Sequence, residues 1–479
     1  MKVWFVSAEA APFFKAGGLG DVAGALPQAL EREDGVEMTV FLPLYASLPQ
    51  MYKEKLTDAG SFTVQVGWRH QYCGLKKVHL AGIDYYFVEN DFYFGRPELY
   101  SYEDDGERFA FFSQAVIESM NHLQEFPEII HCNDWHTAVI PVLLKDKYGW
   151  VEEYARIKTV LTIHNLQFQG IYDQFVLSDW YGIGYNAFHI QGLEFYDQVN
   201  LLKGAIYYSD LITTVSPTYA KEILTPEFGN GLEGALQENA HKLKGILNGL
   251  DTELYDPRTN PSLVFHYSKD DLSGKKKNKQ ALQKKIGLPE KQDTLLIGVV
   301  TRLTEQKGIQ LLQPLFDRLS ERDLQLVMLG TGERWMEELI REGSDRYPDQ
   351  IRSILAFDGT LAQQIYSGAD LFLMPSAFEP CGLAQMNAMV YGTLPLVHET
   401  GGLADTVQPY NAVTGEGDGF TFYDFLPDVL LETVDRALSV YKEEPDQWRL
   451  MMKRAMEKNF TWKKSAKKYL EAYRQIEAR

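Results

Sequence analysis

Arg302 and Lys307 stand five residues apart in the stretch TRLTEQKG (301–308), directly after an apolar, β-branched run at 295–300. Cations at the carboxyl end of a buried strand face a crevice rather than bulk water, which is where they neutralise a diphosphate best. Other segments repeat the theme. Lys15-Ala16-Gly17-Gly18-Leu19-Gly20-Asp21 offers bare backbone N–H groups at a helix start beside a cation, a cradle for a phosphate. Thr400-Gly401-Gly402-Leu403 opens a second glycine-rich helix start after a strand. The first loop has neither the GxxxxGK[ST] spacing of a P-loop nor the GxGxxG of a dinucleotide fold. Gly330-Thr331-Gly332-Glu333 comes nearer to the latter, but Trp335 takes the place of the third glycine, so nicotinamide binding is not expected.

Carboxylates and imidazoles follow other strands. Glu379, in the Pro/Gly-constrained loop Pro375-Ser376-Ala377-Phe378-Glu379-Pro380-Cys381-Gly382-Leu383, suits either capping of the next helix or hydrogen bonding to sugar hydroxyls. Cys381 has no basic neighbour in sequence and reads as a small hydrophobe. His131-Cys132-Asn133-Asp134-Trp135-His136 and Ile163-His164-Asn165 end two further strands. Three histidines and an aspartate invite a metal reading. Without HExxH, a thiolate set or a DxD at a strand end, no metal is expected.

These loops need elements to hold them. Strand patterns at 3–7, 36–42, 128–132, 159–163 and 211–215 alternate with helical spacing at 21–32, 109–123 and 137–148, around a polar, aromatic-rich excursion that runs to residue 106. The second half repeats the alternation, with strands at 295–300, 324–329, 354–357, 371–375 and 394–397 and helices at 308–319, 333–341, 361–367 and 383–391. Such patterning predicts α/β architecture: two Rossmann-like, doubly wound domains, each a parallel sheet covered on both faces. The Gly/Asn/Asp/Pro cluster 245–257 is the expected join, giving domains 1–245 and 246–459. A last helix is expected at 462–476, and the lysine-rich 275–285 reads as a solvated helix face.

Composition limits the partners. The 479 residues are 45% hydrophobic and 24% charged with a formal net charge of -19, which argues for folded cores and against nucleic acid. The acidity is concentrated in residues 1–245, which hold 18 basic and 32 acidic side chains, against 29 and 34 in the remainder. Three scattered cysteines suggest neither a disulfide framework nor a zinc site and fit a reducing cytoplasm. No run approaches the roughly 18 apolar residues of a membrane span, and the first residues read as a strand rather than a signal peptide, so no membrane role is expected.

Taken together, seven ordered motifs resemble the bacterial glycogen synthase family, closely related to plant starch synthases, of two-domain GT-B glycosyltransferases. They are KAGGLGDV (15–22), HCNDWH (131–136), His164-Asn165, ILNGLD (246–251), TRLTEQKG (301–308), FEPCGLAQ (378–385) and YGTLPLVHETGGLADTV (391–407). Two positions depart from wider patterns: Ala16 replaces the usual Thr or Val, and Asn387 stands where broader retaining transferases carry a second Glu. The resemblance implies an active-site cleft between the domains, with the C-terminal helix 460–479 returning to the first. It implies retaining transfer of glucose from ADP-glucose to the non-reducing 4-hydroxyl of an α-1,4-glucan, with no metal or cofactor.

By the same resemblance, Arg302 and Lys307 stabilise the departing ADP, with Lys15 reaching in from the N-terminal domain and the N–H groups of Gly17, Gly18, Gly401 and Gly402 assisting beside Thr400. Phe357 stacks on adenine. Glu379 orients the donor glucose with the backbone around Cys381, Gly382 and Leu383, while His164 and Asp134 line the sugar, Asn248 approaches from the hinge, and Glu9 and Asn165 lie near the acceptor. Similar enzymes have no accepted nucleophile, which favours front-face attack with the His164 carbonyl supporting the cationic sugar. The alternatives are a GT-B transferase using UDP-glucose or another acceptor, and, from a different class, a non-catalytic glucan-binding protein. The latter would need aromatic platforms and no diphosphate clamp.

Overall fold

In the computed structural model, which describes residues 1–478, the apolar runs of the first half become strands β1 (Lys2–Val6), β2 (Glu37–Pro43), β3 (Thr57–Val66), β4 (Arg69–Leu80), β5 (Ile83–Glu89), β6 (Ile129–Asn133), β7 (Lys158–Ile163), β8 (Ile171–Tyr172), β9 (Glu194–Phe195), β10 (Gln198–Asn200), β11 (Leu211–Thr214) and β12 (Leu243–Gly245). Nine of them form one sheet in the order β12-β11-β7-β6-β1-β2-β5-β4-β3. From β12 to β5 every pairing is parallel, and β1, β6, β7 and β11 are almost wholly buried, as strands covered on both faces must be. The order reverses at β1, so the crevice beyond the carboxyl ends of β1 and β6 is the place for a ligand.

The excursion before residue 106 is more ordered than its sequence suggests. β3 and β4 pair antiparallel and β4 pairs antiparallel with β5, extending the sheet past its parallel core. Only Val64, Val66, Cys73, Leu75 and Val78 of β3 and β4 are buried apolar residues, and the polar remainder hid the strands. The small sheet β8-β10-β9 is also antiparallel. Helix Trp462–Glu477 packs on helix Gly18–Glu31, and the Tyr473 hydroxyl meets His131 Nδ1 at 2.6 Å inside the same unit. This unit comprises Met1–Gly249 and the segment from Trp462.

The second unit, Leu250–Thr461, holds β13 (Leu295–Val300), β14 (Leu324–Leu329), β15 (Ile351–Ile354), β16 (Leu371–Met374), β17 (Leu394–His398) and β18 (Phe420–Phe422). They form one all-parallel sheet, β15-β14-β13-β16-β17-β18, whose order reverses between β13 and β16. The units therefore divide at 249/250 and 461/462, later than the expected join after 245. Leu282, Leu296, Val327, Leu361 and Ile365 anchor its core between sheet and helices.

Two local expectations are corrected. Residues 308–319 are not one α-helix: Gly308 adopts a left-handed φ of +70° and Pro314 interrupts the ladder, leaving 3-10 turns before a short helix, Phe316–Ser320. The lysine-rich helix Ser273–Ile286 is not uniformly solvated either. Lys275 and Lys279 are buried, where Lys275 Nζ donates to Ser367 O and Thr393 Oγ1 and Lys279 Nζ pairs with Asp370 at 2.6 Å. Hydrogen bonds donated to fixed oxygens make burial of these ammonium groups tolerable.

Candidate active site

Past β1, Glu9 is 2% exposed and turns into the glycine loop. Its Oε1 accepts the Gly20 N–H at 3.0 Å, Oε2 accepts that of Ala16, and the Gly17 N–H also points to the carboxylate. A Cβ on Gly20 would lie 2.4 Å from Lys15 Cβ, so only glycine lets the loop close over Glu9. Glu9 thereby holds the loop from inside through the N–H groups of Ala16 and Gly20. The space over Gly17 and Gly18 is open nonetheless, and Lys15 Nζ pairs with Asp21 at 2.7 Å on an exposed surface.

Asp134 follows β6 in the left-handed region at φ +54°, a conformation that costs a non-glycine residue about 1–3 kcal/mol. Its own hydrogen bonds hold it there. Oδ1 accepts the His164 N–H at 2.7 Å, the Asn165 N–H also points to the carboxylate, and the Asp134 N–H donates to Thr162 O at 2.9 Å. Burial pushes both carboxyls up to about 7, and the charge of Glu9 adds to the shift at Asp134.

His164 can be assigned a tautomer. Asn133 Nδ2 donates to Val6 O at 3.0 Å, so its Oδ1 accepts from His164 Nε2 at 2.9 Å. With Nε2 protonated and burial lowering its pKa to about 3, the ring is neutral and Nδ1 is left as an acceptor, suited to a sugar hydroxyl. Asn165 Oδ1 closes its own turn by accepting the Gln167 N–H at 3.0 Å, which leaves its amide NH₂ as a donor. Asn133 was legible only as a neighbour of Asp134, and its role appears through Val6. Tyr45 and Tyr100 were missed altogether. Their buried hydroxyls, with His136 Nδ1, lack protein partners, and the charges of Glu9 and Asp134 both act on Tyr100. Such atoms mark where ligand hydroxyls or solvent are accommodated. The buried Oδ1 of Asn248 is in the same condition.

In the second unit, the loops after β13 and β16 bring Lys307 Nζ to 2.6 Å from Glu379 Oε2, which also accepts from Ser376 Oγ at 3.1 Å. Glycines make this approach possible. A Cβ on Gly308 would lie 1.8 Å from Pro375 O, and one on Gly401 2.0 Å from Glu379 O. The Gly402 N–H donates to Glu379 O at 3.0 Å, so this glycine pins the Glu379 loop instead of facing a phosphate, correcting the expected role. Thr400 is buried at the start of helix Gly401–Thr406. Cys381 is buried, Gly382 is left-handed at φ +71°, and Gln385 Nε2 ties the carbonyls of both to Thr406, with Leu383 half-buried before helix Ala384–Val390. Asn387 places another unpartnered, buried oxygen in that helix.

Arg302 is exposed, and its guanidinium makes no hydrogen bond or ion pair among the described residues. Phe357, after β15, is 94% exposed, which excludes a core role and leaves its face available for stacking. No group of three His, Cys, Asp or Glu residues suited to a metal occurs among the described residues, and no helix there is long and apolar enough to cross a membrane. One cation without a protein partner, a second held at a carboxylate and a bare aromatic face form a set able to take a planar base and an anionic group. The first unit offers neutral hydrogen-bonding atoms for hydroxyls.

Comparison with known proteins supplies the family. Residues 2–238 match the starch synthase catalytic domain and residues 278–452 match glycosyl transferases group 1. The chain is 51% identical to the glycogen synthase of Lactiplantibacillus plantarum, covering 99% of both chains, and 48% identical to that of Streptococcus mutans, covering 99% of this chain and 100% of the relative. Among solved structures, the catalytic domain of starch synthase IV from Arabidopsis thaliana, bound to ADP and acarbose, matches with a TM-score of 0.92 and 33% identity over 100% of this chain and 99% of that one. A sucrose-phosphate synthase from Thermosynechococcus elongatus, 17% identical over 100% of this chain and 99% of that one, shares the fold at a TM-score of 0.63. With two sheets of GT-B type and relatives of this identity along its full length, the chain belongs to the glycogen synthase family of glycosyltransferases.

Proposed function

We propose that this glycosyltransferase moves glucose from ADP-glucose to the non-reducing 4-hydroxyl of an α-1,4-glucan with retention of configuration, elongating glycogen in the cytoplasm. The observation that carries the reading is the trio at the reversal of the second sheet: Arg302 without a protein partner, and Lys307 held at 2.6 Å by Glu379. As the glucosyl–phosphate bond breaks, positive charge grows on the sugar and negative charge on the departing ADP. Arg302 and Lys307 are placed to stabilise the diphosphate, and Glu379 to hold the donor glucose through its hydroxyls while fixing Lys307. Phe357 takes the adenine face.

In the first unit, the neutral His164 receives a sugar hydroxyl at Nδ1 and Asp134 fixes the backbone of His164 and Asn165. This supports front-face attack with the His164 carbonyl near the cationic sugar. We assign Lys15 and the glycine loop of the first unit a role toward the donor phosphates, the unpartnered oxygen of Asn248 one toward the sugar, and the Asn165 amide one toward the acceptor. Glu9 serves by shaping the loop. The three cysteines are buried and form no disulfide, in keeping with a reducing compartment.

Incubation with radiolabelled ADP-glucose or UDP-glucose, with glycogen and EDTA present, followed by capture of the polymer, tests the reading. Incorporation from ADP-glucose is expected. Label from UDP-glucose alone would overturn the donor, and label from neither would remove the synthase reading.

A further inference from the structure

Strand β17 ends on His398, which is buried and meets backbone oxygen on both sides of its ring. Nδ1 lies 2.8 Å from Ser376 O and Nε2 lies 2.8 Å from Tyr423 O. A carbonyl oxygen only accepts, so each contact is a hydrogen bond only where that nitrogen carries a proton. A neutral ring has one N–H and aims the bare lone pair of its other nitrogen at an oxygen, setting two buried acceptors face to face. Turning the ring over places carbon at both oxygens and loses both bonds. Only the doubly protonated ring satisfies both contacts. His131 supplies the contrast: its two nitrogens meet the hydroxyls of Tyr473 and Thr162, which donate or accept as needed, so a neutral ring suffices there.

The surroundings suit a positive charge. Phe422 and Phe425 flank the ring with centroids 5.2 Å and 5.4 Å away, within the reach of aromatic π-systems toward a cation. The segments after β16, β17 and β18 carry the carboxylates of Glu379, Glu399 and Asp424, against one ammonium, Lys307, brought in by its pair with Glu379. The ring also joins these strand ends. Its Nδ1–H holds Ser376, whose hydroxyl donates to the same Glu379 carboxylate that fixes Lys307. Its Nε2–H holds the segment after β18, and His398 O accepts the Thr400 N–H at 2.9 Å, where the glycine turn 400–402 begins. Hydrogen bonds from a charged donor are the strong ones, so an imidazolium fixes these loops better than a neutral ring.

We infer that His398 is held as an imidazolium and is a positioning residue of the donor site, acting through Ser376 on Glu379 and Lys307. Its effect on transfer rests on the synthase reading, whereas its charge follows from the two carbonyls. Histidine isotopically labelled at both ring nitrogens reads that charge by NMR in the full chain at neutral pH. His398, identified by the signals absent from both His398→Gln and His398→Arg, should show two protonated nitrogens. One protonated and one bare nitrogen would overturn the imidazolium.

Steady-state kinetics with ADP-glucose and maltohexaose read the positioning. His398→Gln, whose neutral amide offers N–H groups at one end only, is expected to lower kcat roughly tenfold with KM for maltohexaose unchanged, because the anchor lost is that of Glu379. His398→Arg keeps a cation with N–H groups for both oxygens and should return kcat to within about threefold of the unaltered protein. Turnover in His398→Gln equal to that of the unaltered protein, or His398→Arg no faster than His398→Gln, would overturn the role. Two protonated nitrogens at His398 in a protein that transfers no glucose from ADP-glucose would keep the imidazolium and remove the synthase reading on which its role rests.

Discussion

The two units use charge in opposite ways. In the first, the carboxylates at the strand ends are buried and occupied with their own backbone: Glu9 takes the N–H groups of Ala16 and Gly20, and Asp134 takes that of His164. In the second, the Arg302 side chain is exposed without a protein partner, and the buried Glu379 holds the Lys307 ammonium at 2.6 Å rather than closing on backbone N–H groups. Under the function proposed above, charge in the first unit shapes loops and charge in the second serves the ligand: two cations placed locally suffice for an anionic donor, and the acidic half meets a neutral glucan.

That contrast breaks most readily in the second unit. Arg302→Ala, Lys307→Ala and Glu379→Ala are each expected to lower kcat by at least ~10²-fold, the usual cost of losing transition-state electrostatics. Steady-state kinetics with ADP-glucose check it, and near-normal turnover in all three would end the assignment of roles. Glu379→Ala tests most because it removes both the proposed sugar contact and the group that fixes Lys307.

The first unit should respond less, and through pH. Glu9→Gln replaces one accepting oxygen with an NH₂, so an N–H of Ala16 or Gly20 loses its partner, and kcat is expected to fall about tenfold. Since burial places the Glu9 and Asp134 carboxyls at about 7, activity should rise as pH passes through that value and the ionised groups grip their N–H donors more strongly. Stability should run the other way. Both carboxyls have folded pKa values above their unfolded ones, so their contribution is full below about pH 4 and is lost as pH rises through about 7. Asp134→Asn should flatten both curves, as read by a kcat profile and by Tm at pH 5 and pH 8.

How much of this was legible in the sequence follows the same division. Parallel strands buried on both faces announce themselves as apolar runs, so the sheet cores and the loops that follow them were readable. The hairpin β3–β4 was not, because few of its residues face a core, and the break at Gly308 was not, because a left-handed φ is set by the approach of Pro375 O from far along the chain. Site residues could be found by type and position. What each one binds could not, since the commitment of Asn133 Nδ2 to Val6 O, which fixes the His164 tautomer, joins residues 127 positions apart.

The smallest expected effect sharpens the contrast from the donor side. Phe357 is 94% exposed, and removing it leaves no cavity and no unpaired polar group. Phe357→Ala should therefore leave Tm unchanged. If its ring stacks on adenine, the loss is one aromatic face felt equally in the ground state and the transition state, so KM for ADP-glucose should rise about fivefold while kcat holds. ADP as a competitive inhibitor should weaken by the same factor, since it carries the same base, whereas maltohexaose binding should not move. An unchanged inhibition constant for ADP would show that Phe357 does not touch the nucleotide, leaving Arg302 and Lys307 as the donor contacts that charge alone provides.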